Sequence, residues 1–297
     1  MPAMTWYGRP PMIDLHAHTT RSDGTLSPAE LVELARDLGL TAVAVTDHDT
    51  VDGLEEALAA GERLGVEVVP GVELSLEWGE RALHVLGYFL NELPTQELHD
   101  ILVELRGYRD ARNEIILERL AKLGYPLDPE EVARVANGGA VGRPHIATVM
   151  REHAYVMSLE EAFDRFLKKG APAYVDRRRL SLSEGMRLLQ RSAGIASLAH
   201  PGIIPVDAIE LEHIVRSVAA EGVAGIECYY GAYDRSTERL CLDIAARTGL
   251  VATGGSDFHG AVKPNIVLGI GAEGRPIPDR VLGDLRERYR ATVSREE

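Results

Sequence analysis

Six of the ten histidines in this chain lie within or directly after segments that resemble β-strands. They are His16, His18, His48, His84, His200 and His259. A single histidine in such a place is usually a core residue bonded to a carbonyl, but six of them favour a shared site. Imidazole and carboxylate donors without thiolates suit Zn²⁺, Mn²⁺ or Fe²⁺. The histidines therefore predict a metal centre, and their pattern does not choose among these ions.

The first two histidines form a His-x-His motif within Asp14-Leu15-His16-Ala17-His18. Side chains at i and i+2 of an extended segment point to the same side, so both rings can reach one ion. Taken alone, the motif also fits two solvent-facing histidines on a loop. Asp23 follows in a turn-forming run, residues 21–25, which could return a carboxylate to the same place. Alone, Asp23 would be only a turn aspartate.

Further donors follow apolar segments. The segment 40–46 runs into Asp47, His48 and Asp49, and this crowding of ionisable groups at a strand end requires a compensating cation. Glu73 ends the run that starts at Val69, and its two oxygens could bridge two ions. His84 interrupts an apolar strand, for which a core histidine bonded to a carbonyl is the alternative.

Two strand ends nearer the C-terminus complete the set. His200 closes the segment 195–200 before Pro201 and Gly202 turn the chain away, and Asp257 and His259 follow paired glycines that allow close backbone approach. Nine residues are therefore candidate metal ligands. They are His16, His18, Asp23, His48, Glu73, His84, His200, Asp257 and His259.

Buried strands and capped helices alternate along both halves of the chain. Ser27 and Pro28 should begin a helix that ends near Gly39, and Thr50 should cap another that runs to about Gly65, followed by a strand at 66–69. After residue 180 we expect helices at 183–193, 207–221, 235–248 and 278–290, and strands at 195–199, 223–228 and 250–254. This alternation predicts parallel βαβ units in a βα barrel, where the carboxyl ends of all strands meet at one mouth. The barrel would comprise residues 12–94 and 171–297, and 95–170 would be a helical insertion that covers the substrate.

Composition limits the substrates and the cellular compartment that we expect for this protein. The 297 residues are 45% hydrophobic, and 32 Lys and Arg against 46 Asp and Glu give a net charge of −14. That balance opposes binding of long duplex nucleic acid by phosphate neutralisation. No apolar run is long enough for a membrane span, and residues 1–11 lack the features of a signal peptide. Two cysteines, Cys228 and Cys241, cannot form a disulfide framework for a chain of this size, so we expect a cytoplasmic protein.

Taken together, the motifs resemble those of the polymerase and histidinol phosphatase (PHP) family, in the expected order from about residue 12 to 260. They are H-x-H at 16–18, T-D-H-D at 46–49, G-V-E at 71–73, His84, A-H-P at 199–201 and S-D-x-H at 256–259. The resemblance implies a distorted seven-stranded βα barrel and a site with two or three divalent ions of Mn, Fe or Zn. It also implies three ligand sets: His16, His18, Glu73 and Asp257; Asp23, His48 and His259; and Glu73, His84 and His200.

Within that family, Gly142-Arg143-Pro144-His145-Ile146-Ala147 and residues 168–175 resemble enzymes that remove the 3′-phosphate of nucleoside 3′,5′-bisphosphates or trim short RNA from its 5′ end. The resemblance implies that Arg143 and His145 contact substrate phosphate, although a structural role for Arg143 is an alternative. Arg177, in the run 177–179, is a third candidate phosphate contact, or part of a solvated surface. The chain departs from its relatives at Ile203-Ile204, where a basic residue is common, and at 229–233, where a histidine is common.

The resulting expectation is a phosphoesterase that uses water activated by its metal ions, with His145 or a second such water as the acid for the leaving oxygen. Its substrate would be a small phosphorylated nucleotide or a short oligonucleotide. The alternatives are a histidinol-phosphate-type phosphatase, an amidohydrolase-like enzyme on the same barrel, and an accessory barrel without activity. The amidohydrolase alternative requires a bridging lysine at a strand end, which the sequence lacks, and the accessory barrel would have lost ligands.

Overall fold

The structure is a computed structural model that describes residues 12–136, 141–176 and 178–294. Arg177, one of the predicted substrate contacts, lies outside the described residues.

Eight strands form one mixed sheet. They are β1 (Met12–Asp14), β2 (Leu40–Val45), β3 (Glu67–Trp78), β4 (Arg81–Tyr88), β5 (Leu180–Ser181), β6 (Ile195–Leu198), β7 (Gly225–Tyr230) and β8 (Val251–Gly255). The main path runs β1-β2-β3-β4-β6-β7-β8, and the short β5 pairs with β3 outside that path. Strand β4 is antiparallel to both β3 and β6, and the other neighbours are parallel.

The predicted all-parallel barrel was therefore wrong in one strand. The connection from β3 to β4 consists of Gly79 and Glu80 alone, and only antiparallel strands can be joined by so short a link. Within the described residues, no strand ladder joins β1 to β8, so strand pairing does not close the sheet. The segments after these two strands meet through an isolated parallel bridge between Ala17 and Phe258.

Ten α-helices are described. They are α1 (Pro28–Leu38), α2 (Leu54–Leu64), α3 (Gln96–Lys122), α4 (Pro129–Ala136), α5 (Arg143–Glu152), α6 (Leu159–Ala162), α7 (Leu182–Arg191), α8 (Ala208–Ala220), α9 (Arg235–Thr248) and α10 (Arg280–Val293). Helix α6 continues into a π-helical turn, Phe163–Leu167. None of the helices in the described segments is both long and apolar enough to cross a membrane.

Two helices test the capping predictions. Ser27 caps α1 with a reciprocal Ser–Glu30 capping box, and Gly39 ends it in the left-handed conformation, so both predictions are confirmed. The predicted cap at Thr50 was wrong. Helix α2 starts later, after Gly53, and the Thr50 hydroxyl accepts hydrogen bonds from Asp52 N and from the Arg106 guanidinium instead.

The helices between β4 and β5 have a hydrophobic core of their own. It includes Ile116, Leu120, Ile146, Val149 and Met150, all buried. Helices α1 and α2 pack against the sheet in one hydrophobic cluster, and α7, α8 and α9 pack against it in another. Helix α10 packs with residues of β1 and β2 in a third cluster. Residues 96–167 are thus a helical unit inserted into the order of strands, in the region where the sequence predicts an insertion.

Candidate metal centre

All nine predicted ligands lie together at one end of the sheet. His16, His18 and Asp23 follow β1, His48 follows β2, Glu73 and His84 lie inside β3 and β4, His200 follows β6, and Asp257 and His259 follow β8. His16, His18, Glu73, Asp257 and His259 are buried, whereas the others are partly open. The candidate ligands therefore extend from the buried interior of the site to its partly exposed edge.

Glu73 lies at the middle of the cluster, fully buried. Its Oε2 atom is 3.0 Å from His48 Nδ1 and 3.2 Å from the Nε2 atoms of His16 and His18. Its Oε1 atom is 3.0 Å from His84 Nδ1 and 3.0 Å from His200 Nε2. The two carboxylate oxygens thus contact separate groups of histidines.

Three groups of possible donors have all their atoms within 4.8 Å of one another among the described residues. They are His16, His18, Glu73 and Asp257; His18, Asp23, His48 and His259; and His48, Glu73 and His84. The first group contains the same four residues as one of the ligand sets that the family resemblance implies. The second gains His18, and the third contains His48 where the resemblance implies His200, although His200 still contacts the Glu73 oxygen that His84 contacts.

Backbone conformation fixes several of these side chains. His48 and Glu73 form an isolated parallel bridge, so the end of β2 continues alongside β3. Six non-glycine residues in the described chain have positive φ, and three of them are Asp49, His200 and Asp257. Such backbone is costly for residues other than glycine and tends to occur where function requires it.

Glu227 was not predicted from the sequence. This fully buried side chain in β7 places Oε1 3.0 Å from His16 Nδ1, and its Oε2 accepts the His200 backbone N–H at 2.7 Å. A carboxylate on one ring nitrogen fixes the orientation of the imidazole and leaves the other nitrogen for a metal ion. The signal was present in the sequence as a glutamate inside an apolar strand.

Other buried groups hold the ligand loops. Asp47 accepts hydrogen bonds from Thr19 N, Thr19 Oγ1 and Ser22 Oγ at 2.8, 2.7 and 2.6 Å, which folds the turn that carries Asp23. Asp257 Oδ2 accepts from Tyr230 OH at 2.7 Å and from Lys263 Nζ at 2.6 Å. These two bonds leave Asp257 Oδ1 toward the histidines, 3.3 Å from His18 Nε2.

The donor set fits a divalent cation. Burial alone would raise the pKa of Glu73, but the neighbouring histidines, His48 first, hold it well below its ordinary range. Burial alone would lower the pKa of His16. Glu227 and the other nearby carboxylates have the opposite effect, and they raise this pKa well above its ordinary value. His48 Nδ1 and His84 Nδ1 are buried without a hydrogen bond, although each lies 3.0 Å from a Glu73 oxygen. Ionised carboxylates facing unbonded ring nitrogens are the arrangement that a metal ion completes.

A cavity of about 370 Å³ connects this centre to the helical insertion. Its wall includes the candidate ligands Asp23, His48 and His84 and four arginines, Arg109, Arg112, Arg143 and Arg179. Arg143 and His145, two of the predicted substrate contacts, both line it. The arginines of α3 were missed, because their spacing on a long charged helix resembles that of an ordinary solvated face.

Arg143 and His145 are held at the start of α5. The Arg143 guanidinium donates to Leu167 O at 2.8 Å and lies 5.3 Å from the centre of the Tyr174 ring. Gly142 N–H donates to His145 Nδ1 at 3.0 Å, so the proton of the neutral ring is on Nε2. Burial lowers the pKa of His145, which favours that neutral form.

Comparison with known proteins places these features in a family. A family model described as the PHP domain matches residues 14–174. The 5′-3′ exoribonuclease Rnm of Salmonella typhimurium is 32% identical over 248 residues, 83% of this chain and 84% of the relative. The 3′,5′-nucleoside bisphosphate phosphatase of Chromobacterium violaceum is 31% identical over 255 residues, 83% of this chain and 87% of the relative.

A third relative carries a different activity in its name. The phosphoribosyl 1,2-cyclic phosphate 1,2-diphosphodiesterase of Eggerthella lenta is 32% identical over 260 residues, 83% of this chain and 94% of the relative. Among solved structures, a Bifidobacterium adolescentis protein described as a metal-dependent phosphoesterase superposes with a TM-score of 0.75 at 28% identity, over 94% of this chain and 98% of that one. Sequence and fold comparisons thus point to the same family.

Proposed function

Since this chain belongs to the PHP family and is a metal-dependent hydrolase of phosphate esters, we propose that it removes one phosphate from a small nucleotide that carries a second phosphate. The substrate we favour is a nucleoside 3′,5′-bisphosphate, cleaved at its 3′-phosphate. Short oligonucleotides with a 5′-phosphate are a second substrate of the same kind. The observation that carries the proposal is the cavity in which four arginines face three candidate metal ligands.

The nine candidate ligands would hold two or three ions of Mn, Fe or Zn, with Glu73 bridging through its two oxygens. Bound ions would supply an acidified water and offset the charge of the phosphoryl oxygens. Glu227 and Asp47 would keep His16 and the Asp23 turn in place during the reaction. His145 Nε2–H, in the wall of the same cavity, can donate to a phosphate or to the leaving oxygen.

Charge explains why the second phosphate belongs to the arginine wall. The chain has a net charge of −14, yet this cavity has four guanidinium groups in its wall. Arg109 and Arg179 are paired with carboxylates, whereas Arg143 donates to the uncharged carbonyl oxygen of Leu167 and keeps its charge for a phosphate. Bound ions would neutralise the phosphate being cleaved, so a guanidinium group farther out is better placed to bind a remote anion. The names of two relatives, a bisphosphate phosphatase and an exoribonuclease, support such a substrate.

The test compares two substrates and two variants of the metal-reconstituted protein. For Arg143→Ala, kcat/KM on a nucleoside 3′,5′-bisphosphate should fall roughly tenfold to a thousandfold, on the order of 1.4 to 4 kcal/mol, because a charge-assisted bond to the second phosphate is lost. A nucleoside 3′-monophosphate should be cleaved almost as before. Arg134→Ala is the matched control, because Arg134 pairs with Glu152 on the surface of the same insertion.

Equal losses on both substrates would assign Arg143 to the reacting phosphate or to folding. Histidinol phosphate, a cyclic phosphate diester and a lactone, tested alongside, represent the competing activities. Preferred cleavage of any of these three would replace the proposed substrate.

A further inference from the structure

A second cavity, of about 390 Å³, borders the metal centre at His84 and His200. His84 also lines the arginine cavity, so one candidate ligand separates two spaces of different character. Both His84 and His200 lie 3.0 Å from Glu73 Oε1. A ligand held at that side of the centre can therefore reach into either space.

The wall of this second cavity is mostly apolar. Besides the two histidines it consists of Arg81, Ala82, Leu83, Ala199, Ile203, Ile204 and Pro205. The one cation, Arg81, donates to the Glu210 carboxylate, so its charge is already balanced. A phosphate would find no uncompensated positive charge here, whereas an apolar surface would displace water favourably.

Ile203 is the most exposed large apolar residue in the wall of this cavity. It is 55% exposed, although it stands next to a cluster of charged groups. The turn that carries it is firmly packed: Gly202 N–H donates to Tyr233 OH at 2.6 Å, and Ile203 N–H donates to His200 O at 3.2 Å. A Cβ at Gly202 would lie 2.4 Å from Thr237 Cγ2, so the turn approaches α9 as closely as glycine allows.

We infer that this apolar cavity binds the base of the substrate nucleotide. The inference rests on the proposed function. With one phosphate at the metal centre and the second among the arginines, the base is the remaining part of the molecule that is flat, apolar on its faces and attached within reach of both. Ile203 and Ile204 offer aliphatic surface to a ring face, and the open side of the cavity leaves the polar ring edge in water.

A pair of substrates that differ only in the base tests this assignment. Adenosine 3′,5′-bisphosphate and ribose 3,5-bisphosphate carry the same two phosphates. We expect the protein to prefer the adenosine compound in kcat/KM by roughly tenfold or more, as for a group that fills an apolar pocket. Ile203→Asn should remove most of that preference by lowering kcat/KM for the adenosine compound, and Ile203→Ala should remove a smaller part.

Ile209→Asn is the matched control. Ile209 is 84% exposed on α8 and outside the wall of this cavity, so its substitution should leave the preference unchanged. Equal cleavage of both compounds by the unaltered protein, or equal losses on both in Ile203→Asn, would overturn the inference while the cleavage itself upholds the proposed function. Failure to cleave either compound would overturn both.

Discussion

Glu73 contacts five histidine rings of the described centre through its two oxygens. Oε2 faces His16, His18 and His48, and Oε1 faces His84 and His200. If two ions share this group, its loss affects both. A terminal ligand such as His84 can affect only one of them.

We therefore expect Glu73→Gln to lower kcat/KM more than His84→Ala does. Mutation of a group that only orients a ligand costs about 10- to 100-fold in metal affinity or activity, so the loss for Glu73→Gln should exceed roughly a hundredfold. The loss for His84→Ala should be smaller than that for Glu73→Gln. Steady-state kinetics on a common substrate, with ion content measured in each variant, provides the comparison. Equal losses, or a larger loss at His84, would remove the bridging role from Glu73.

The sequence predicted the nine candidate ligands because each stands at or within a strand, where a polar residue contrasts with apolar neighbours. It did not predict Glu227 or Arg109 as parts of the site, and it placed Asp47 beside the ligands without predicting that Asp47 holds the turn that carries Asp23. Their roles depend on which atom they contact across the chain, as with the hydrogen bond from His200 N to Glu227, 27 residues apart. Residue type and spacing are good predictors of the metal donors. They are poor predictors of the groups that orient those donors.

Among the elements, α3 makes the direct link between the insertion and the ligand loop after β2. Arg109 of α3 donates to Asp49 Oδ2 at 2.5 Å, and Asp49 Oδ1 accepts the Ser75 N–H at 2.8 Å. One turn earlier on the same helix, Arg106 donates to Asp52 Oδ2 at 2.6 Å. The first pair is buried, with side-chain exposures of 9% and 5%, and the second is more open, at 24% and 33%.

This difference predicts unequal effects on stability. Arg109→Met should lower the free energy of unfolding by about 3 to 5 kcal/mol, because it removes a buried cation that is paired with the Asp49 carboxylate. Arg106→Met, the matched control, should change it by about 1 kcal/mol or less. Urea unfolding of both variants measures the difference. Similar values for the two variants would show that the Arg109 pair is not a principal link.

Most elements followed from local patterns, including capped helices and buried strands. Strand β3 did not, because local signals predicted a strand at 66–69 and a strand end at Glu73, whereas the strand continues to Trp78. Pairing with β4 over eight residues, from Gly71 opposite Tyr88 to Trp78 opposite Arg81, overrides those local signals. The direction of β4 could not be read from its residues, since it is set by the two-residue turn before it.

At the scale of the whole molecule, the centre concentrates buried charge that the fold must compensate. His16, His18 and Glu73 are all 0% exposed, together with the orienting Glu227. Groups of this kind are stable in an interior only when paired or bound to a cation. Ions that bind the folded chain and not the unfolded chain should therefore raise its stability.

We expect elemental analysis to find two or three equivalents of Mn, Fe or Zn per chain, and chelation to lower the melting temperature reversibly. His48→Ala should reduce the content by about one equivalent, since His48 belongs to two of the three donor groups. His99→Ala is the control, because His99 pairs with Asp52 outside these groups. At most one equivalent after reconstitution, or no change in melting temperature on chelation, would contradict a multinuclear centre.

The β3–β4 hairpin also bears on how such a protein can diversify. Glu73 and His84 belong to one ladder in which Ser75 stands opposite His84. A slip of one residue would turn every side chain of a strand to the other face of the sheet. An insertion or deletion in this hairpin would therefore remove a metal ligand and also expose the apolar side chains that the strand buries. From the second half of α3 onward, the helices of the insertion share a separate core and can change length without disturbing that register. Descendants of this sequence should therefore acquire new substrates by remodelling the insertion, while the hairpin stays constant in length.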